Sequence, residues 1–100
     1  MDFEFELRGI RFVADADKAR RNVTNHGVTF EEAAQAFFDP FALVIDASRN
    51  DEARDALIGA DFSTRLLYVV HIAFEADTER IRLISARLPT REERNRYENY

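Results

Sequence analysis

Residues 65–74, RLLYVVHIAF, and residues 80–87, RIRLISAR, decide how this chain folds. The first segment is apolar on both faces, as a strand in the middle of a sheet must be. The second alternates arginine with aliphatic residues, which is strand periodicity with one face turned outward. Glu75 to Glu79 between them is polar and reads as a hairpin loop. Pro89 cannot donate a ladder hydrogen bond, so the second strand ends near Leu88. Thr90-Arg91-Glu92-Glu93 is then a capping box, and it opens a C-terminal helix running to about Tyr97.

Upstream, Ala56 to Gly59 reads as a short strand and Phe41 to Ile45 as a buried one, joined by the polar turn DASRNDEARD. Thr29-Phe30-Glu31-Glu32 is another capping box, and the helix EEAAQAFF that it starts is ended by Asp39-Pro40. Asp15 or Asp17 caps a helix over Lys18 to about Asn25, with Gly27 as its left-handed stop. Phe3, Phe5 and Leu7 alternate with Glu4, Glu6 and Arg8. Gly9 breaks that phase and Ile10 and Phe12 resume it, so a bulge or two short strands are expected. The sum is one α+β domain over residues 1–100. It has a small antiparallel β-sheet, two N-terminal helices and one C-terminal helix, with the helices packed on one face.

Composition bounds the function. The 100 residues are 46% hydrophobic and 33% charged, which suits a packed core. No apolar run approaches the roughly 18 residues of a membrane span, so no membrane partner is expected. The start MDFEFELRG lacks the basic residues and apolar stretch of a signal peptide. With no cysteine, thiol chemistry and disulfides are excluded, as suits a cytoplasmic protein. The net charge of −5 argues against nucleic acid, but it is unevenly spread. Residues 1–79 hold 8 Lys/Arg against 16 Asp/Glu, and residues 80–100 hold 6 Arg against 3 Glu. The basic end carries Arg80, Arg82, Arg87, Arg91, Arg94 and Arg96, and a guanidinium fork matches phosphate.

Strict alternation puts Arg80, Arg82 and Ile84 on one face of their strand, and Ile81, Leu83, Ser85 and Arg87 on the other. Arg82 and Arg87 then share a site only if Arg87 lies past the strand end. His26 precedes a helix stop and His71 lies in mid-strand. Either can transfer protons near neutral pH, although a hydrogen-bonded structural histidine is the commoner outcome. No metal-ligand spacing, phosphate loop or nucleophile elbow is present, so neither a metal nor a cofactor is expected.

The stretch Phe12 to Ala33, with its F-V-A-D-x-D-K-A-x-x-N-x-x-N-H-G-V-T-F-E-E-A pattern, resembles the opening motif of the BrnT toxin family. R-L-L-Y-V-V-H (Arg65 to His71) and R-I-R-L-I-S-A-R-L-P-T-R-E-E-R-N-R-Y-E (Arg80 to Glu98) resemble its later motifs, in the same order. Lys18, Asn22, His26, Gly27, Arg65, Arg82, Ser85, Arg87, Glu93, Arg94, Tyr97 and Glu98 fall on matching positions. Ala14 and Asn25 depart from the family's usual aromatic and lysine. Residues 1–9 lie outside the resemblance and read as an added edge strand.

The resemblance implies a RelE-like fold and a bacterial type II toxin, a metal-independent endoribonuclease that cuts RNA and blocks translation. It implies a BrnA-like ribbon-helix-helix antitoxin as partner, and operator DNA bound through the toxin–antitoxin complex. On this reading Arg65, Arg82 and Arg87 hold the phosphate, and His71 and Glu93 are the proton-transfer candidates. Lys18, His26, Ser85, Arg94 and Tyr97 contact RNA. The antitoxin is expected to cover Arg82, Arg87 and the last helix. The alternative is a catalytically weak homologue that serves as binding subunit and co-repressor.

Overall fold

The computed structural model describes residues 1–74 and 79–99. Six strands form one sheet: β1 (Asp2–Leu7), β2 (Ile10–Asp15), β3 (Leu43–Asp46), β4 (Asp55–Ala60), β5 (Leu66–Ile72) and β6 (Arg80–Arg87), in the spatial order β1-β2-β6-β5-β4-β3. The helices are α1 (Ala16–His26), α2 (Phe30–Gln35), which runs into a 3₁₀ turn at Ala36–Phe38, and α3 (Arg91–Glu98). The Glu75–Glu79 hairpin loop expected from sequence lies outside the described residues, except for Glu79.

The sheet is mixed, not purely antiparallel. β2 and β6 run parallel, while the other neighbouring pairs are antiparallel. The helices carry the chain from β2 across the sheet to the far edge. Three antiparallel steps, β3 to β6, then return it beside β2 in the same direction. The segment expected as a buried strand is therefore an edge: Val44 is 53% exposed and Phe41 76%.

The two faces are covered differently. Phe12, Leu57, Val69, Leu83 and Ala86 point to one face and pack under Val28, Phe30, Ala33 and Ala34 of the α1–α2 layer. Ile58 and Leu66, each next in sequence to a residue of that core, point the other way with Leu43 and meet Tyr97 of α3. So α3 lies on the opposite face from α1 and α2, contrary to the expectation of one helical layer. It buries no residue fully, and Tyr97 supplies its apolar contact.

Local chemistry explains the joints. Asp15 caps α1 by accepting from the Lys18 amide, and Gly27 closes the helix at φ 68°, which an L side chain rarely adopts. Both capping boxes form as read, at Thr29/Glu32 and Thr90/Glu93. Gly59 lies under the 3₁₀ turn, where a Cβ would stand 2.7 Å from the Ala36 carbonyl oxygen. Buried Asn22 ties α1 to β6. Its Nδ2 donates to the Ala86 and Val28 carbonyls at 2.8 and 2.9 Å, and its Oδ1 accepts from the Ala86 amide at 3.0 Å.

A register shift in β6 alters the arginine pattern. Val70 pairs with Ser85 but the next residue, His71, pairs with Leu83, which leaves Ile84 as an extra residue. The extra residue flips the phase, so Leu83 and Ala86 both reach the helix-side core. Arg80, Arg82, Ser85 and Arg87 consequently share the open face. Strict alternation had separated Arg82 from Arg87. The bulge, not an early strand end, unites them, since Arg87 still pairs with Tyr68 inside the sheet.

Candidate active site

A cavity of about 370 Å³ opens on that face between β5, β6 and the β3–β4 hairpin. Its walls are Ala47, Ser48, Arg49, Arg54, Tyr68, Val70, Ser85 and Arg87. The hairpin turns at Asn50 and Asp51, which have φ of 50° and 66°. Both residue types tolerate this left-handed region. Backbone pairs Arg49–Glu52 and Ala47–Arg54 close the arms at about 2.9–3.1 Å. That hairpin puts both Arg49 and Arg54 on the cavity wall.

Arg87 is held on several sides. Its guanidinium donates to Glu93 at 2.8 and 3.0 Å and to the Leu88 carbonyl at 3.1 Å, and lies 4.0 Å from the Tyr68 ring centroid. The Glu93 hydrogen bond raises the Arg87 pKa, and the same bond lowers that of Glu93. Glu93 also closes the α3 capping box through the Thr90 amide at 2.8 Å, so one carboxylate orients both helix and arginine. Arg54 meets Glu52 at 3.3 Å, and its buried Nε, like Nη2 of Arg65 on the helix side, has no hydrogen-bond partner among the described residues.

The residues singled out in the sequence divide by position. Ser85 and Arg87 line the cavity and Glu93 binds Arg87. Arg82 lies further along β6 on the same face, joined to Asp2 at 2.7 and 3.3 Å. Arg65 sits on the helix side, within 3.2 Å of Asp61, 3.1 Å of Glu32 and 3.4 Å of the Gly27 carbonyl. His71 is 3% exposed. Its Nδ1 donates to the Val69 carbonyl at 3.1 Å and its ring meets Phe37 edge-on at 4.8 Å. Burial lowers its pKa. It points away from the cavity, in the manner of a structural histidine. Lys18 and His26 are exposed on α1, on the helix side. Arg94 is exposed and faces Glu98 at 3.9 Å. Tyr97 donates to Asp39 at 2.6 Å, and burial together with that carboxylate pushes its pKa up to about 12.

Arg49, Arg54, Ser48 and Tyr68 were not singled out in the sequence. The signal for the two arginines was the Asn50-Asp51 pair. Read as a tight turn, it brings the residues on either side of it together.

An arginine-walled cavity thus opens on the sheet of a small α+β domain. Residues 15–93 match the family model described as the ribonuclease toxin BrnT of type II toxin–antitoxin systems, and the chain belongs to this family. Comparison with curated proteins returns no match. No helix among the described residues is long and apolar enough to cross a membrane.

Proposed function

We propose that the protein acts as a metal-independent endoribonuclease at the Arg49/Arg54/Arg87 cavity, arresting translation in the cytoplasm until its antitoxin covers it. The observation that carries this reading is the open-face cavity that Arg49, Arg54 and Arg87 wall together. The ribose 2′-oxygen attacks the adjacent phosphorus, a cyclic phosphate forms, and the bond to the departing 5′-oxygen breaks. Negative charge grows on the non-bridging oxygens, and preorganised guanidinium donors stabilise it without rearranging. Arg87 is the best preorganised, fixed by Glu93 and Tyr68. Arg49 and Arg54 add two further guanidinium groups on the cavity wall. Ser85 offers a hydroxyl to the ribose, and the proton lost by the 2′-hydroxyl passes to the 5′-oxygen through it or through water. Glu93 positions Arg87, and becomes a base only when that pair opens.

The neutralising partner is a BrnA-like ribbon-helix-helix antitoxin covering Arg82, Arg87 and α3, and the complex represses its operon. Expression without the partner tests the enzyme reading. Growth arrest with fragmented RNA is expected, and both are lost in Arg54→Ala with Arg87→Ala. Intact RNA in arrested or healthy cells would overturn it. One observation favours the second reading, a co-repressor with little cleavage: among the described residues no His, Asp or Glu lines the cavity. Intact RNA together with operator repression by the toxin–antitoxin complex would establish that reading.

A further inference from the structure

The sheet ends in two unlike edges. At one of them β1 carries Glu4 and Glu6 exposed, between the core-facing Phe3, Phe5 and Leu7. Charges of this kind keep a strand edge from pairing with a foreign strand. β3 forms the other edge. The run Phe41-Ala42-Leu43-Val44-Ile45 has no charge before Asp46, and Phe41 and Val44 are exposed. The Ala47 amide donates to the Arg54 carbonyl at 2.9 Å, so alternation turns the backbone groups of Leu43, Ile45 and Ala47 toward β4. The N–H and C=O of Val44 and Asp46 then face outward, and no group among the described residues meets them.

The two ends of β3 open onto different chemistry. At its start, Pro40, Phe41 and Ala42 line a hollow of about 220 Å³ together with Tyr97 of α3. At its end the chain runs into Ala47, Ser48 and Arg49 of the arginine-walled cavity. About six residues of extended chain, roughly 20 Å, join the two. We propose that the antitoxin adds a strand of its own to β3. That strand seats an apolar side chain in the Phe41–Tyr97 hollow and, about six residues further along, sets carboxylates against Arg49 and Arg54. Backbone bonds to Val44 and Asp46 supply the grip, and the two end pockets supply the selectivity. The acidic end answers the arginines in charge and denies them to RNA. A second copy of this chain fits less well. Its net charge of −5 opposes self-association, and the one carboxylate of its own β3, Asp46, already accepts from the Ser48 amide. The inference rests on the toxin–antitoxin reading and names where the partner docks.

The test uses the purified toxin and the antitoxin encoded beside it. Amide hydrogen exchange at Val44 and Asp46 should be fast in the free toxin and slow in the complex. Val44→Pro removes one outward donor and leaves the ladder to β4 intact, since an edge strand tolerates proline there. It should weaken antitoxin binding roughly 10-fold by calorimetry. Val44→Lys sets a guarding charge on the edge and should weaken binding as well. It carries the test if thermal melting shows that proline unfolds β3. Val23→Lys makes the same substitution at an exposed valine of α1 and should leave the affinity unchanged. Fast exchange at both amides in the complex overturns the proposal, as does parental affinity in the folded Val44 variants or an equal loss in Val23→Lys. So does slow exchange in a free toxin that sediments as a dimer, which gives the edge to a second copy. RNA cleavage by the antitoxin-free parent separates the failures. Cut RNA with fast-exchanging amides sinks the docking alone, and intact RNA with slowed amides sinks the ribonuclease reading alone.

Discussion

On the helix side of the sheet, Arg65 reaches Asp61, Glu32 and the Gly27 carbonyl, Asn22 makes three bonds to backbone, and His71 gives its proton to a carbonyl. On the open side, the buried Nε of Arg54 has no hydrogen-bond partner among the described residues. On the first face Arg65 Nη2 also lacks a hydrogen bond, yet it still meets Glu32 as an ion pair at 3.1 Å, and the polar groups there tie strand to helix. The difference teaches that arginine content alone does not mark a site; what matters is whether a guanidinium already ties two layers together.

The sharpest way to break that contrast is to remove one arginine from each face. Arg54→Ala or Arg87→Ala should lower RNA cleavage by roughly 10²–10³, the usual cost of losing one preorganised donor. Arg65→Ala should melt earlier but cut RNA at nearly the parental rate per folded molecule. Cleavage assays on purified protein, normalised to folded fraction, decide it. A loss in Arg65→Ala as deep as in Arg87→Ala would erase the distinction between faces.

Next in size is Asn22→Ala, which leaves the Ala86 amide and carbonyl and the Val28 carbonyl without their partner. The cost should be about 3 kcal/mol, since buried backbone groups lose bonds and regain none. That lowers Tm by roughly 10–25 °C for a domain of this size. Ala86 lies between Ser85 and Arg87, so cleavage should also fall at temperatures where the variant remains folded. Activity unchanged at full folding would mean that Asn22 serves stability alone.

The helix side was the more legible face because local rules govern it. The caps at Asp15, Thr29 and Thr90, the stop at Gly27 and the apolar run of β5 each follow from residues within a few positions. The open face depends on two non-local events. The bulge at Ile84 follows from the helix-side packing of both Leu83 and Ala86, which no period-two reading of RIRLISAR contains. The approach of Arg49 and Arg54 to Arg87 depends on which strand β4 pairs with. The placement of α3 was hidden for a related reason. Its sequence is nearly all polar, and only its tertiary partners, Glu93 with Arg87 and Tyr97 with Asp39, reveal the face it takes.

Glu93→Gln separates geometry from charge within the open face. The amide keeps the shape of the side chain but loses its charge and one of its two acceptors, so Arg87 moves more freely. Cleavage should fall about 10-fold if Glu93 acts by positioning, with a smaller change in substrate affinity. A rise in affinity with unchanged rate would instead show that Glu93 only competes with phosphate for Arg87.

The smallest effect is expected at the other end of α3. Tyr97→Phe removes the hydrogen bond to Asp39 and should cost about 1 kcal/mol, because the ring still packs on Leu43, Ile58 and Leu66. Its pH dependence has a definite sign at both ends. Burial opposes ionisation of Asp39, but the Tyr97 hydroxyl and the amides of Ala60 and Phe41 outweigh it and hold the pKa below 3.8. The Asp39 contribution is therefore complete above that value and fades as pH falls through the lower folded one. Tyr97 is shifted upward, from 10.0 to about 12, so its contribution is complete below 10.0 and fades as pH rises toward 12. The Tm gap between parent and Tyr97→Phe should thus be flat through neutral pH and narrow at both extremes. A gap that changes between pH 6 and 8 would point to a titrating group other than this pair and would detach α3 from the account given for its docking.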